Sequence, residues 1–344
     1  MPVQTYFPDG SLMFDSDAVR GGICVGIYEV PSGQAFSRSF PLLAGATLRV
    51  SAFAGRRYSY RPGSASISIN NSGTPSVSAA PVALDRVITI WADGTPAIQS
   101  GAGLQALNDQ GTVALSPAGR GLVYIGKATY ATYNPRPVSG GLTEPAYWHI
   151  TISSPTRPVA VVDMSNGIRL YNRPGFVSIG SGVWRAEVIA VADGSSTGLP
   201  PSTLVTPDVY CFAVPSAPGP GGIAAIYDED GTLAYDLLAG RLLYSTAYVS
   251  ISPSEMAMQD LSVTRSVPVL SKPGLLGSIS YQRMRQRTVN SATTHEGVWT
   301  MASGQLIAMD GATMLDVDSG TVSAGNLAAS SDGAYAEIID LSVY

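Results

Sequence analysis

The chain has 344 residues and a net charge of −5, with 45% apolar and only 13% charged side chains. That is long enough for two or three domains with their own cores, and too rich in Val, Ile, Leu, Tyr and Ala for a disordered chain. The acidic balance argues against a nucleic-acid backbone as partner, which calls for a basic face, and no apolar run approaches a bilayer's thickness.

The first stretch, "MPVQTYFPDG", has neither a basic n-region nor an apolar h-region, so no secretory signal is expected. It leads into "FPDGSLMFDSDAVRGGICV" (7–25), a Gly turn between short apolar runs. Strand candidates then follow in order: "ATLRVSAFAG" (46–55), "SASISIN" (64–70) and "DRVITIWADG" (85–94). A second Gly turn stands at "LNDQGTVALSPAGRGLVYI" (107–125), followed by "YWHITISSP" (147–155), "RPVAVVDM" (157–164), "GVWRAEVIAVADG" (182–194) and "VYCFAVP" (209–215). A third turn, "YDEDGTLAYDLLAGRLLYS" (227–245), precedes "RLLYSTAYVSIS" (241–252), and "YAEIIDLSV" (335–343) comes last. Alternation with period 2, ended by Gly, Pro, Asn or Asp, predicts half-buried strands throughout. The one helix signal is "SPSEMAMQDL" (252–261), where Ser252 and Glu255 form a capping-box pattern. The predicted class is all-β: antiparallel sheets, very little helix, in tandem β-sandwich-like modules.

Three modules follow from the hairpins. Gly10, Gly111 and Gly231 lie 101 and 120 residues apart. Each follows a polar turn residue (Asp9, Gln110, Asp230) and precedes Ser or Thr, then Leu12, Val113 or Leu233, then Phe14, Leu115 or Tyr235. Arg20, Arg120 and Arg241 recur nine or ten positions after the glycine. Asp-Gly supplies the positive φ of a tight turn, and alternate residues after it line one face. The modules are expected at 1–98, 99–218 and 219–344.

These residues carry a resemblance. "GLQALNDQGTVALS" and "GGIAAIYDEDGTLAYDLLAGRLLY" resemble the opening of small tail-tip proteins of tailed bacteriophages. That family begins with a strand, an Asn/Asp-rich Gly turn, an apolar strand ending in Asp and a short basic-apolar strand. Its members carry one such module, where this chain has three. The resemblance covers about twenty residues per module, implies a structural role in the virion, and brings no catalytic residues with it.

No chemistry-bearing motif competes with that reading. The two histidines, His149 and His295, have no metal-ligand spacing, and neither a P-loop nor a GxSxG elbow occurs. His149, beside Trp148 in an alternating run, reads as structural, and His295 as a turn residue facing solvent. The carboxylates of "DSD", "YDEDG" and "DVDSG" crowd single turns, whereas a glycosidase needs two facing each other across a sugar. Cys24 and Cys211 stand apart in apolar runs and read as buried free thiols. No enzyme activity, metal or cofactor is therefore expected.

The contact candidates are aromatic and basic. Arg56, Arg57, Tyr58, Tyr60 and Arg61 cluster in "GRRYSYRPG", Tyr130 and Tyr133 lie in "YIGKATYATYNPRP", and Arg283, Arg285 and Arg287 alternate in "YQRMRQR". Tyr joins an apolar face to a polar tip, and Arg pairs with carboxylate or phosphate. Either type suits a receptor or a neighbouring subunit. The expected function is thus a structural component of a phage tail tip or tail fibre, made in the host cytoplasm and residing in the virion. It would assemble with other tail proteins, as a homo-oligomer with a trimer as first choice. A receptor-binding adhesin for a host surface glycan or pilus is the alternative, and a tail-associated glycan hydrolase a distant third.

Overall fold

A computed structural model describes residues 4–6, 12–15, 21–54, 67–82, 85–94, 96, 106–107, 113–115, 121–134, 147–170, 174–192, 204–215, 225–227, 233–236, 241–251, 262–277, 282–288, 291–302, 305–310, 315–317 and 334–344. These residues form antiparallel sheets almost exclusively; the only described helices are the 3-10 turns Pro41–Leu43 and Leu341–Val343. The all-β reading therefore holds. The expected helix at 252–261 lies outside the described residues.

Near the N-terminal end, Ile23–Val30, Arg86–Asp93 and Thr47–Ala54 make one three-stranded sheet, in that order. Phe36–Ser39, Ser76–Ala79 and Ile67–Asn70 make a second. Val25, Leu48, Ile88 and Ile90 from the first and Val77 and Ala79 from the second share a core with Phe40 and Leu43. Both sheets are built from residues within 1–98.

Beyond residue 98 the pairing is less local. A six-stranded sheet runs Val123–Lys127, Val209–Ala213, Val159–Asp163, Pro273–Gly277, Ala334–Asp340, Ala247–Ile251. Hydrogen-bonded pairing thus crosses the boundary expected at 218, at Val162↔Leu275 and Asp163↔Gly274. A second crossing joins Ile168–Leu170 to Ser291–Ala302 through Arg169↔Thr300 and Leu170↔Trp299. Ile168–Leu170 and Val177–Gly180 join different sheets.

The expectation of half-buried strands fails at the centre. Val159–Asp163 and Val209–Ala213 are buried at every position, as is most of Arg86–Asp93. The inner strands of the six-stranded sheet are covered on both faces. Ala160, Val162, Val209, Cys211, Leu275 and Ile338 point into one core with Ile150, Phe176 and Val188. Val159, Val161, Tyr210, Phe212, Leu276 and Ile339 point into another with Trp91, Leu122 and Leu243. The sequences "VAVV" and "VYCFA" are continuous apolar runs, the pattern of a strand with no wet face. Cys24 and Cys211 are buried free thiols, as expected.

Candidate functional site: three hairpins and their junction

The three Gly-turn segments form three two-stranded hairpins: Gln4–Tyr6 with Leu12–Asp15, Ala106–Leu107 with Val113–Leu115, and Ala225–Tyr227 with Leu233–Asp236. Their registers coincide. Tyr6↔Leu12, Leu107↔Val113 and Tyr227↔Leu233 each span the same separation. The next pairs are Thr5↔Phe14, Ala106↔Leu115 and Ile226↔Tyr235, so one extra residue intervenes on the second strand each time, at Met13, Ala114 and Ala234. A one-residue bulge bends its strand and re-aims the side chains beyond it. Gly10, Gly111 and Gly231 themselves lie outside the described residues.

Facing roles are partly shared. Val113 and Leu233, two positions after the glycines, are buried. Four positions before the glycines stand Tyr6 and Tyr227, which are 54% and 50% exposed. Leu107, at the same position of the second hairpin, packs against the N-terminal core instead.

The segments after the hairpins meet one another. Residues 241–245 pair with 122–124 and with 21–23. Tyr124 N–H donates to Arg241 C=O (2.9 Å) and Leu243 N–H to Leu122 C=O (2.7 Å). Gly21 N–H donates to Ser245 C=O (2.8 Å), and Ser245 N–H to Gly22 C=O (3.0 Å). This approach explains Gly21, and the neighbouring strand Arg86–Asp93 explains Gly22. A Cβ on Gly22 would lie 2.2 Å from Ala92 O, at φ +98°, and one on Gly21 would lie 2.9 Å from Ala247 N. Tyr344 seals the junction, with its ring 4.9 Å from Phe212 and 5.8 Å from Tyr124, and its hydroxyl donating to Leu242 C=O (2.7 Å).

Beneath the junction lies a buried ion pair. Arg49 donates from Nε and Nη2 to Glu337 Oε1 (both 3.1 Å) and from Nη2 to Oε2 (3.0 Å). Arg49 also donates to Gly21 C=O, sits 3.2 Å from Asp93 Oδ2, and lies over the Tyr248 ring at 4.4 Å. Ser245 Oγ donates to Glu337 Oε2 (2.6 Å). Glu337 has no exposed surface. Burial pushes its carboxyl above the ordinary glutamate range, while Arg49 and Ser245 pull the other way. This network ties strands near residues 49, 93, 245 and 337 to the glycine pair at 21–22. Sequence reading missed it because Arg49 and Glu337 each look like the polar member of an alternating strand.

A second polar constellation gathers both lysines of the chain. Lys127 and Lys272 have their ammonium groups 4.9 and 5.0 Å from the Tyr210 ring centre. Lys127 pairs with Asp208 (2.5 Å), and Lys272 donates to the Tyr210 hydroxyl and faces Asp163 at 3.8 Å. Hydrogen bonding raises both lysine pKa values, through Asp208 for Lys127 and Tyr210 for Lys272. Both lysines are therefore held charged, which fits an ion-paired clamp and not a nucleophile.

The other sequence-picked residues fall in several places. Tyr130 and Tyr133 stand on Thr129–Asn134 and pack against Trp148, with ring centres 5.9 and 5.1 Å away. The Tyr130 hydroxyl donates to Pro207 C=O (2.7 Å). Arg283, Arg285 and Arg287 lie on Gln282–Thr288, paired with Ser291–Ala302, and a register shift between Gln286 and Thr288 interrupts their alternation at Arg287. Arg56, Arg57, Tyr58, Tyr60 and Arg61 lie outside the described residues. His149 is held between Glu187 (3.3 Å) and Asn134 (3.1 Å), a structural setting. His295 belongs to strand Ser291–Ala302, where β-branched and aromatic residues extend the pairing, and not to a turn. Among the described residues, no group of three or more His, Cys, Asp or Glu could hold a metal, and no helix is long and apolar enough to cross a membrane. Comparisons with protein families, characterised proteins and solved structures give no match.

Proposed function

We propose that this chain is a structural component of a bacteriophage tail tip or tail fibre, in which three copies of one hairpin unit are strung along a single polypeptide. The observation that carries the reading is the shared register and bulge of the three hairpins, set on the very residues that resemble tail-tip openings. Turn type and loop length fix a hairpin's register, so the same bulge in all three marks their turns as equivalent. The meeting of the three following segments at 21–23, 122–124 and 241–245 supports a common origin for the units.

The role is assembly and not catalysis. Sparse charge leaves much neutral surface, and Tyr6 and Tyr227 offer exposed aromatic rings at equivalent hairpin positions. Exposed Tyr is suited to protein–protein contact. The partners are other tail proteins and further copies of the chain, with a homotrimer as the first assembly to seek.

Gold-labelled antibody and electron microscopy of virions test the placement. Label at the distal tail supports it, and label confined to the capsid or absent from virions ends it. Light scattering on the purified chain tests self-association, which a clean monomer at high concentration would refute.

A further inference from the structure

Two arginines of the N-terminal three-stranded sheet are buried, and they are treated oppositely. Arg49 has Glu337, Asp93, the Gly21 carbonyl and the Tyr248 ring. Arg86 has almost nothing. It opens the central strand Arg86–Asp93, paired with Val30 and Ala54 on the two flanking strands, and is 2% exposed. Its Nη2 donates to Gln34 C=O at 3.1 Å. Its Nε and Nη1 are buried without a partner.

The nearby carboxylates are engaged elsewhere. Asp85 accepts from Ser32 N–H (2.8 Å), Glu29 pairs with Arg157 (3.5 Å), and Asp93, at the far end of the strand, faces Arg49. Burial, with no opposing charge, lowers the Arg86 pKa from its usual range. A guanidinium removed from water without a counter-ion is strongly unfavourable, and arginine cannot relieve the cost by losing its proton near neutral pH. The position therefore calls for a negative charge that the described residues do not supply.

The geometry points to Arg86 as the anchor of an oxyanion-binding site that takes a phosphate or carboxylate group. Gln34 occupies one of five N–H donors. The second Nη2 hydrogen, with Nε–H or Nη1–H, leaves a planar edge that matches two oxygens of such a group. Residues 31–35 are exposed, and their turn is closed by Gly33 N–H to Val82 C=O (2.7 Å) and Gln34 N–H to Pro31 C=O (3.1 Å). The guanidinium thus lies one hydrogen bond below the surface.

Urea unfolding at constant ionic strength tests it, with chloride, acetate, inorganic phosphate or glycerol phosphate as the anion. The wild-type midpoint should rise with the logarithm of phosphate concentration above the dissociation constant, the native-to-unfolded ratio growing about 100-fold at 100 times that constant. An equal response to glycerol phosphate marks a site for esterified phosphate, and one confined to inorganic phosphate marks a site for the free ion. In chloride, Arg86→Met should be more stable than wild type, since it removes an unpaired buried charge, and should lose the logarithmic response to phosphate. Arg86→Lys should keep the charge and respond more weakly. The site is overturned by a wild type that responds to phosphate no more than to chloride, or by a response that Arg86→Met retains, which would be the general salting effect of phosphate. It is equally overturned if Arg86→Met is less stable in chloride or does not fold, because the charge would then already be compensated.

Discussion

Replacing Arg49 with Met should destabilise the chain strongly, and by an amount that depends on pH. Glu337 has no exposed surface and receives three hydrogen bonds from Arg49 and one from Ser245. Breaking a buried pair by removing one partner costs about 3–5 kcal/mol. In Arg49→Met the carboxylate keeps only Ser245 and relieves itself by taking a proton. Its folded-state pKa, already raised by burial, then rises further. An acid with a raised folded pKa binds its proton more tightly in the native state, so stability falls as pH rises from the unfolded value of about 4.3 toward the raised value. The slope approaches about 1.4 kcal/mol per pH unit across that window. The variant should therefore be weakest near pH 8 and recover on acidification toward pH 5. Glu337→Gln behaves differently: Arg49 retains Asp93, whose side chain is 40% exposed, so the loss should sit near the lower end, about 3 kcal/mol. The double variant Arg49→Met/Glu337→Gln should lose less than the two single losses added together. Urea unfolding followed by tryptophan fluorescence reads all three, since Trp91 is buried and pairs directly with Arg49 across the sheet. A loss under about 1 kcal/mol for Arg49→Met at pH 8, a pH-independent loss, or strict additivity would refute the argument.

Gly22→Ala should cost at least about 2 kcal/mol, because its Cβ would meet the Ala92 carbonyl at 2.2 Å at a positive φ; urea midpoints check this, and a loss of a few tenths would contradict it. Neither thiol should react with Ellman's reagent at pH 8 in the native state, and both should react in denaturant. Cys24 and Cys211 are buried, and burial pushes the Cys211 thiol up to about 12. Lys127 and Lys272 have raised folded pKa values, so their contribution is complete below the unfolded lysine value of about 10.4 and is lost as pH rises through the raised values. Alkaline unfolding of wild type and Lys127→Gln/Lys272→Gln should therefore converge above that range, while at pH 8 wild type should be slightly the more stable.

The sequence by itself determined the all-β class and the three hairpins. A strand's alternation and a Gly turn act over a few residues, so "GTVAL" and "GTLAY" carry their own pairing wherever the chain places them. The buried thiols were legible for a similar reason, since each sits inside an apolar run. What only the tertiary structure decided is which strands become neighbours. Val162↔Leu275 and Arg169↔Thr300 join segments that no local signal connects. Burial of Val159–Asp163 and Val209–Ala213 on both faces also depends on what packs over each face, although their unbroken apolar runs hinted at it. The Arg49–Glu337 pair was the least legible of all. In "TLRVSAF" and "AYAEIID" each charge occupies the polar slot of an alternating strand, where water is the default partner. Only when the segments at 21–22, 93 and 245 close over them, the two charges standing 288 positions apart in the chain, does that slot become the dry interior, where each charge requires the other.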